Sequence, residues 1–197
     1  MADRELGRRL VHASGSIVPL AYVAEVVSWP QVQALALAAT AVVGTLEAVR
    51  LSASVDWVGY RLLDRLVYRR LIRSYEEDNP GGYALFVVGG TVAAFAFPPT
   101  VAVPAFLMLT IADPVSGLLA DNEYGAPKRP AVLAVTFAVG GLIAVPFVPV
   151  LPALLGALTA TAADGFTPVV HGYVIDDNIG IPIGAGAAMW VGLQVPV

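Results

Sequence analysis

Cysteine is absent from the 197-residue chain, which excludes disulfides, thiolate metal sites and a thiol nucleophile. Charge is scarce: 13% of residues are charged against 57% hydrophobic, whereas soluble domains carry about 25% charged residues. A water-soluble globule of this size cannot cover its surface with so few charges. Disorder is excluded on the opposite ground, because it needs low hydrophobicity. The short alternating segments of a membrane β-barrel are missing; the apolar runs are long and continuous. There is no internal repeat, no GxxxxGK[ST] loop, no zinc-ligand spacing and no Ser-His-Asp signature. Any bound nucleotide is therefore held outside the P-loop scheme.

What is present is a series of apolar runs. A spanning helix takes about 20 mostly apolar residues. Candidates fall at 11–28, 31–50, 82–97, 100–119, 130–149, 151–163 and 179–196, the third and sixth being short. The expected fold is all-α: a single membrane-embedded catalytic domain over residues 1–197, polytopic, with about seven transmembrane helices. Pro30, Pro98, Pro99, Pro149 and Pro152 stand at the boundaries between runs, where proline is tolerated. A cleaved leader is the alternative for the first run, set against the membrane-embedded character of everything after it.

Basic residues collect on the cytoplasmic side of membrane proteins. Arg4, Arg8 and Arg9 precede the first run, Arg50 to Arg73 follow the second, and Lys128 and Arg129 follow the fourth. The turns near Trp29, Pro98 and Val150 carry no charge. An N-inside, seven-span model puts every basic cluster inside, at the cell membrane, with the active site facing the cytoplasm. Between the second and third runs, Arg61, Arg65, Arg69 and Arg73 recur every four residues beside Val58, Leu62 and Leu66. That spacing predicts a basic amphipathic helix over about 55–73 lying on the inner membrane surface. Its arginines either anchor the topology or grip an anionic substrate.

Four polar constellations sit on this inner side. Arg8, Arg9 and His12 stand at the mouth of the first span; the arginines either set orientation or offer planar forks to phosphate. Asp113, followed by Pro114 and Ser116, lies about 9 Å deep in the fourth span at 1.5 Å per residue. A carboxylate at that depth marks a functional site by default, and otherwise caps a broken turn. Asp176, Asp177 and Asn178 precede the last span. Their oxygens are hard ligands of the kind magnesium takes, or they cap the helix. Lys128 and Arg129 close a polar loop from Asp121 and Glu123, as a solvated turn or as phosphate contacts. Asp164 and His171, in the inner loop 164–178, are weaker candidates.

The chain resembles the CTP-dependent lipid kinase family that includes dolichol kinase, phytol kinase and yeast-type diacylglycerol kinase, over nearly its whole length. The likeness rests on Glu5, Arg8, Arg9 and His12; on Glu47 and Arg50; on Arg73, Glu76, Glu77, Pro80 and Gly81; on Asp113 to Ser116; and most specifically on Asp176, Asp177, Asn178 and Pro182. The variant segments, Ala120 for a family glycine and Lys128-Arg129-Pro130-Ala131-Val132 for Lys-Thr-x-Glu-Gly, look like an archaeal-type branch. The resemblance implies transfer of the γ-phosphate of CTP to a polyprenol- or dolichol-type alcohol. A CTP:phospholipid cytidylyltransferase is the alternative within this chemistry, and a small transporter the alternative outside it.

On this reading Arg8, Arg9, Arg73, Lys128 and Arg129 contact the nucleotide phosphates. Asp176, Asp177, Asn178 and Asp113 hold Mg²⁺. Asp113 is the first choice for accepting the alcohol proton and His12 the second. The expected partners are a nucleotide, a membrane lipid and the bilayer, with no nucleic acid.

Overall fold

The computed structural model describes residues 2–52, 68, 72, 76–120, 126–166, 169–170, 173–174 and 176–195. The basic helix expected over 55–73, Arg73 included, lies outside the described residues apart from Tyr68 and Ile72; so do Asp121, Glu123 and His171. Of Arg8 the backbone alone is described. The described chain is helical except for a two-residue antiparallel hairpin, β1 (Val169–Val170) with β2 (Tyr173–Val174), in which Val169 faces Val174.

The first expected span, 11–28, is not one helix. α1 runs Ala2–Ser14 and α2 only Ile17–Val23, about 10 Å of helix. The apolar run conceals a break. Ser14 Oγ and Ser16 Oγ donate to the Val11 and Ala13 carbonyls, each at 2.6 Å, competing with the helix ladder. Between them, a β-carbon on Gly15 would strike the Phe86 ring at 2.5 Å. Glu25, at φ 57, turns the chain after α2, and the Ser28 N–H donates to Gln31 Oε1 at 2.8 Å to open α3 (Trp29–Leu51).

α4 (Gly82–Ala96) and α5 (Pro99–Leu107) follow, joined by Phe97 and Pro98. After α5 comes a π-turn, Met108–Ala112, in which the Asp113 N–H reaches five residues back to the Met108 carbonyl. Pro114, in the first turn of α6 (Asp113–Leu119), has no N–H to donate. α7 (Pro130–Ala144), α8 (Val150–Gly165) and α9 (Asp177–Gly192) complete the described helices. Pro98, Pro99, Pro130 and Pro149 stand at helix starts.

Two continuous helical segments are long and apolar enough to cross a membrane: Trp29–Leu51, of 23 residues, and Pro99–Leu119, of 21. α4, α7 and α8 are apolar but span only 15, 15 and 16 residues, about 22–24 Å against a hydrocarbon core of about 30 Å.

The interior is built from small side chains. Ala105, Ala144, Ala153, Ala157 and Ala185 are fully buried around Met108, Leu109 and Met189. Gly140 lies against Ala157, and Gly192 against Pro152, so backbones approach closely, as in membrane helix packing. Many of the larger aliphatic residues point outward: Leu142 is 72% exposed, Val191 62% and Leu158 59%. Large exposed apolar surface of this kind marks contact with a lipid or protein partner.

Helix direction alternates, so the polar ends gather. Gly81, before α4, donates to Glu47 near the end of α3. The Lys128 N–H, before α7, reaches the Gly165 carbonyl that ends α8 at 3.3 Å. The opposite turns, at Phe97–Pro98 and at Val145–Pro149, carry no charge.

Candidate functional site

Three carboxylates meet where α6, α8 and α9 converge. Asp113 opens α6, Asp164 is next to last in α8, and Asp177 opens α9. One ligand oxygen from each lies within 4.8 Å of the others. Each helix would carry its aspartate through an apolar sequence for no packing gain, and their mutual repulsion favours a cation among them. Two groups meet part of the charge. Lys128 Nζ lies 2.5 Å from Asp164 Oδ1 and donates to Ser116 Oγ at 3.0 Å, while Ser116 Oγ donates to Asp164 Oδ2 at 2.6 Å. His12 Nδ1 lies 3.1 Å from Asp113 Oδ2.

The donor set fits a hard divalent ion. Magnesium takes oxygens at about 2.0–2.1 Å in an octahedron, so its ligands stand about 3–4 Å apart, and three aspartate oxygens within 4.8 Å of one another are near that range. Asp113 and Asp177 are in this group, as is Asp164, which the sequence ranks low. Its signal is the one that picks out Asp113, a carboxylate closing an apolar run. Asp176 and Asn178 are placed differently. Asp176 is the N-cap of α9, its Oδ1 accepting from the Asn178 N–H at 2.9 Å and from Asn178 Nδ2 at 2.5 Å. Lys128 is committed to Asp164 and Ser116. Arg129 is exposed at the start of α7. Arg9 lies over Gly117, with its Nε 3.2 Å from where a β-carbon on that glycine would sit.

His12 is held on two sides. Its Nδ1 faces Asp113, and its ring stands edge-on to Phe86, with centroids 4.6 Å apart at 72°. Its Nε2 is buried with no hydrogen-bond partner, and so is Thr110 Oγ1 in the π-turn. Such orphans are rare, because each costs about 1–3 kcal/mol.

A second polar cluster lies where α3 meets α4. Glu47 Oε1 accepts from Arg50 Nη2 at 2.7 Å and from the Gly81 N–H at 2.5 Å; Glu47 Oε2 accepts from Arg50 Nε at 2.8 Å and from the Tyr83 hydroxyl. Arg50 also donates to the Glu77 and Asn79 carbonyls. Beside it Glu76, 2% exposed, accepts from the Gly82 N–H at 3.1 Å.

No protein-family model matches the chain, and no curated protein or solved structure matches it.

Proposed function

We propose that the protein is a polytopic membrane enzyme that moves the γ-phosphate of CTP to a long-chain isoprenoid alcohol at the cytoplasmic face, with about seven membrane-crossing segments and the N-terminus inside. The observation that carries the proposal is the convergence of Asp113, Asp164 and Asp177 within 4.8 Å at the charged end of an apolar helical bundle. Outward leucines and valines around an alanine-rich interior support the membrane setting, as do the two helices long enough to cross it. Because α1 and α2 are separate helices, the first crossing would be a broken one. Motif resemblance supplies the nucleotide and the class of acceptor.

Phosphoryl transfer asks for positioning and charge neutralisation more than covalent help. Asp113, Asp164 and Asp177 would hold Mg²⁺, which when bound neutralises phosphate charge. Lys128 fixes the Asp164 carboxylate from the other side. The alcohol oxygen attacks the γ-phosphorus, the bond to the β–γ bridging oxygen breaks, and CDP leaves with that oxygen. The alcohol proton passes to His12 Nε2. His12 suits this role better than Asp113, because Asp113 is already engaged by His12 Nδ1 and stands among the carboxylates. Asp113 then orients the imidazole rather than acting as the base. Arg9, over Gly117, is placed for a phosphate fork.

The test is purified protein in detergent with labelled CTP, Mg²⁺ and a panel of prenols and diacylglycerol. CDP and a phosphorylated prenol are expected. Pyrophosphate release onto a phospholipid would replace this reading with a cytidylyltransferase. No nucleotide turnover with any acceptor would overturn it.

A further inference from the structure

A cavity of about 320 Å³ lies between α2, α3, α4 and α5. Trp29 and Ala36 of α3, Phe86, Val87 and Gly90 of α4, and Phe106 of α5 form much of its wall. The one hydroxyl in that wall is spent: Thr91 Oγ1 donates to the Ala36 carbonyl at 3.1 Å and lies 2.7 Å from Thr40 Oγ1. Apart from the indole N–H of Trp29, no side-chain polar group on the described wall is left to read a polar ligand, so its occupant is a hydrocarbon.

The inner end of the cavity is different. Gly15 lines it, and a β-carbon there would stand 3.1 Å from both the His12 carbonyl and Thr110 Cγ2. Phe86 forms cavity wall on one side and touches the His12 ring on the other. His12 and Thr110 do not line the cavity themselves, but both touch Gly15, which does, so the residues that carry the two buried atoms without partners, His12 Nε2 and Thr110 Oγ1, stand next to its inner end.

The threonine is the more telling of the two. Helical threonines ordinarily satisfy their hydroxyl on the preceding turn. In this protein Thr45, Thr136, Thr159 and Thr161 each donate to the carbonyl four residues back, at 2.7–3.0 Å. Thr110 is fully buried and makes no such bond. It sits in the π-turn Met108–Ala112, where the helix ladder shifts register. π-turns of this kind recur at functional sites.

We propose that this cavity takes the hydrocarbon chain of the acceptor alcohol, whose hydroxyl is held between Thr110 Oγ1 and His12 Nε2, beside the three aspartates. The inference rests on the lipid-alcohol kinase reading for its choice of hydroxyl ligand. Access is lateral. α3 packs on α4 and touches α2, with only 11% of its apolar window buried, so the chain enters from the bilayer past α3 rather than from water. One hydroxyl satisfies both orphans, accepting from Thr110 and donating to the imidazole nitrogen. A charged headgroup would instead be driven against the Phe86 ring.

The probe is a prenol carrying a diazirine near its tail, photolysed with the wild-type protein in nanodiscs and mapped by mass spectrometry. Labels are expected on residues 29–39, 87–94 and 102–106, competed by unlabelled prenol and not by phospholipid. Labels on outward residues such as Leu142 and Leu158, or equal competition by phospholipid, would overturn the proposal in favour of bulk or structural lipid. Two variants read the same point in turnover. Ala36→Trp, which fills the cavity, should raise the prenol KM by about tenfold and leave the CTP KM unchanged. Thr110→Val, which keeps the shape, should lower kcat/KM for the prenol by about tenfold, the size of one lost hydrogen bond, without moving the label. If no alcohol is ever phosphorylated, the kinase reading falls on its own, and the labelling pattern still decides the cavity.

Discussion

The two polar clusters at the charged end of the bundle differ in one respect. Around Glu47 both carboxylate oxygens are matched, by Arg50, Tyr83 and the Gly81 N–H, and the neighbouring Glu76 accepts from the Gly82 N–H. Around Asp113, Asp164 and Asp177, three acids face Lys128 and His12, and two buried atoms lack any partner. A saturated network gains nothing from a ligand and serves to fix α3 on the start of α4. An unsaturated one in an apolar surround is costly to fold and is relieved by what it binds. The comparison separates a joint from a site where composition alone cannot, since both contain a buried acid beside a base.

The largest effect should follow from His12. His12→Asn removes the nitrogen proposed to take the alcohol proton, and turnover should fall by about 10²–10⁴-fold with no recovery in excess Mg²⁺. Asp113→Asn should fall as far, and raised Mg²⁺ should return only the smaller part that reflects its place among the metal ligands, not the part due to orienting His12. A rate within twofold of wild type for either variant would break the assignment.

Asp177→Asn should be next, losing on the order of 100-fold, the upper range for disturbing a metal site. Part of the loss should return as Mg²⁺ is raised, because a weakened ligand set is a matter of affinity. Rescue of Asp113→Asn to the same degree would instead make Asp113 a plain ligand.

Glu47→Ala should reverse the pattern. Stripping one partner from a buried pair costs about 3–5 kcal/mol, so thermal unfolding should drop steeply while turnover per folded molecule stays within a few-fold. Equal loss of turnover at unchanged stability would erase the distinction between the two clusters. Gly117→Ala should do least. The new methyl meets the flexible Arg9 side chain at 3.2 Å, and a few-fold rise in the CTP KM is the expected reading of a displaced phosphate fork.

His12, Asp113 and Asp177 were legible because a charged residue in or beside an apolar run is expensive, and expense points to use. Asp164 carries the same mark, hidden because the sequence places it at the edge of the inner loop 164–178, whereas it belongs to the last turn of α8. Asp176 and Asn178 could be read two ways, because capping and metal binding ask for the same oxygens at a helix start, and the structure shows Asp176 capping α9. The break at Ser14-Gly15-Ser16 was invisible to hydropathy, which averages over a window, although the Phe86 ring makes Gly15 obligatory there. Thr110 was beyond reach. Nothing in a threonine's neighbours along the chain says that its hydroxyl will be left over. The helical class needed no such detail, because long apolar runs admit few other solutions.

The π-turn has a further consequence, which concerns counting rather than chemistry. One residue advances an α-helix by about 100°, and Met108–Ala112 holds one residue more than an ordinary ladder would. The wider turn takes up that extra residue, so α5 and α6 keep nearly the phase of one unbroken α-helix. Deleting a single apolar residue such as Leu109 would let the rod close into plain α-helix with Asp113 still on the same face. What would vanish is the widened turn itself, and with it the place where the Thr110 hydroxyl is left over.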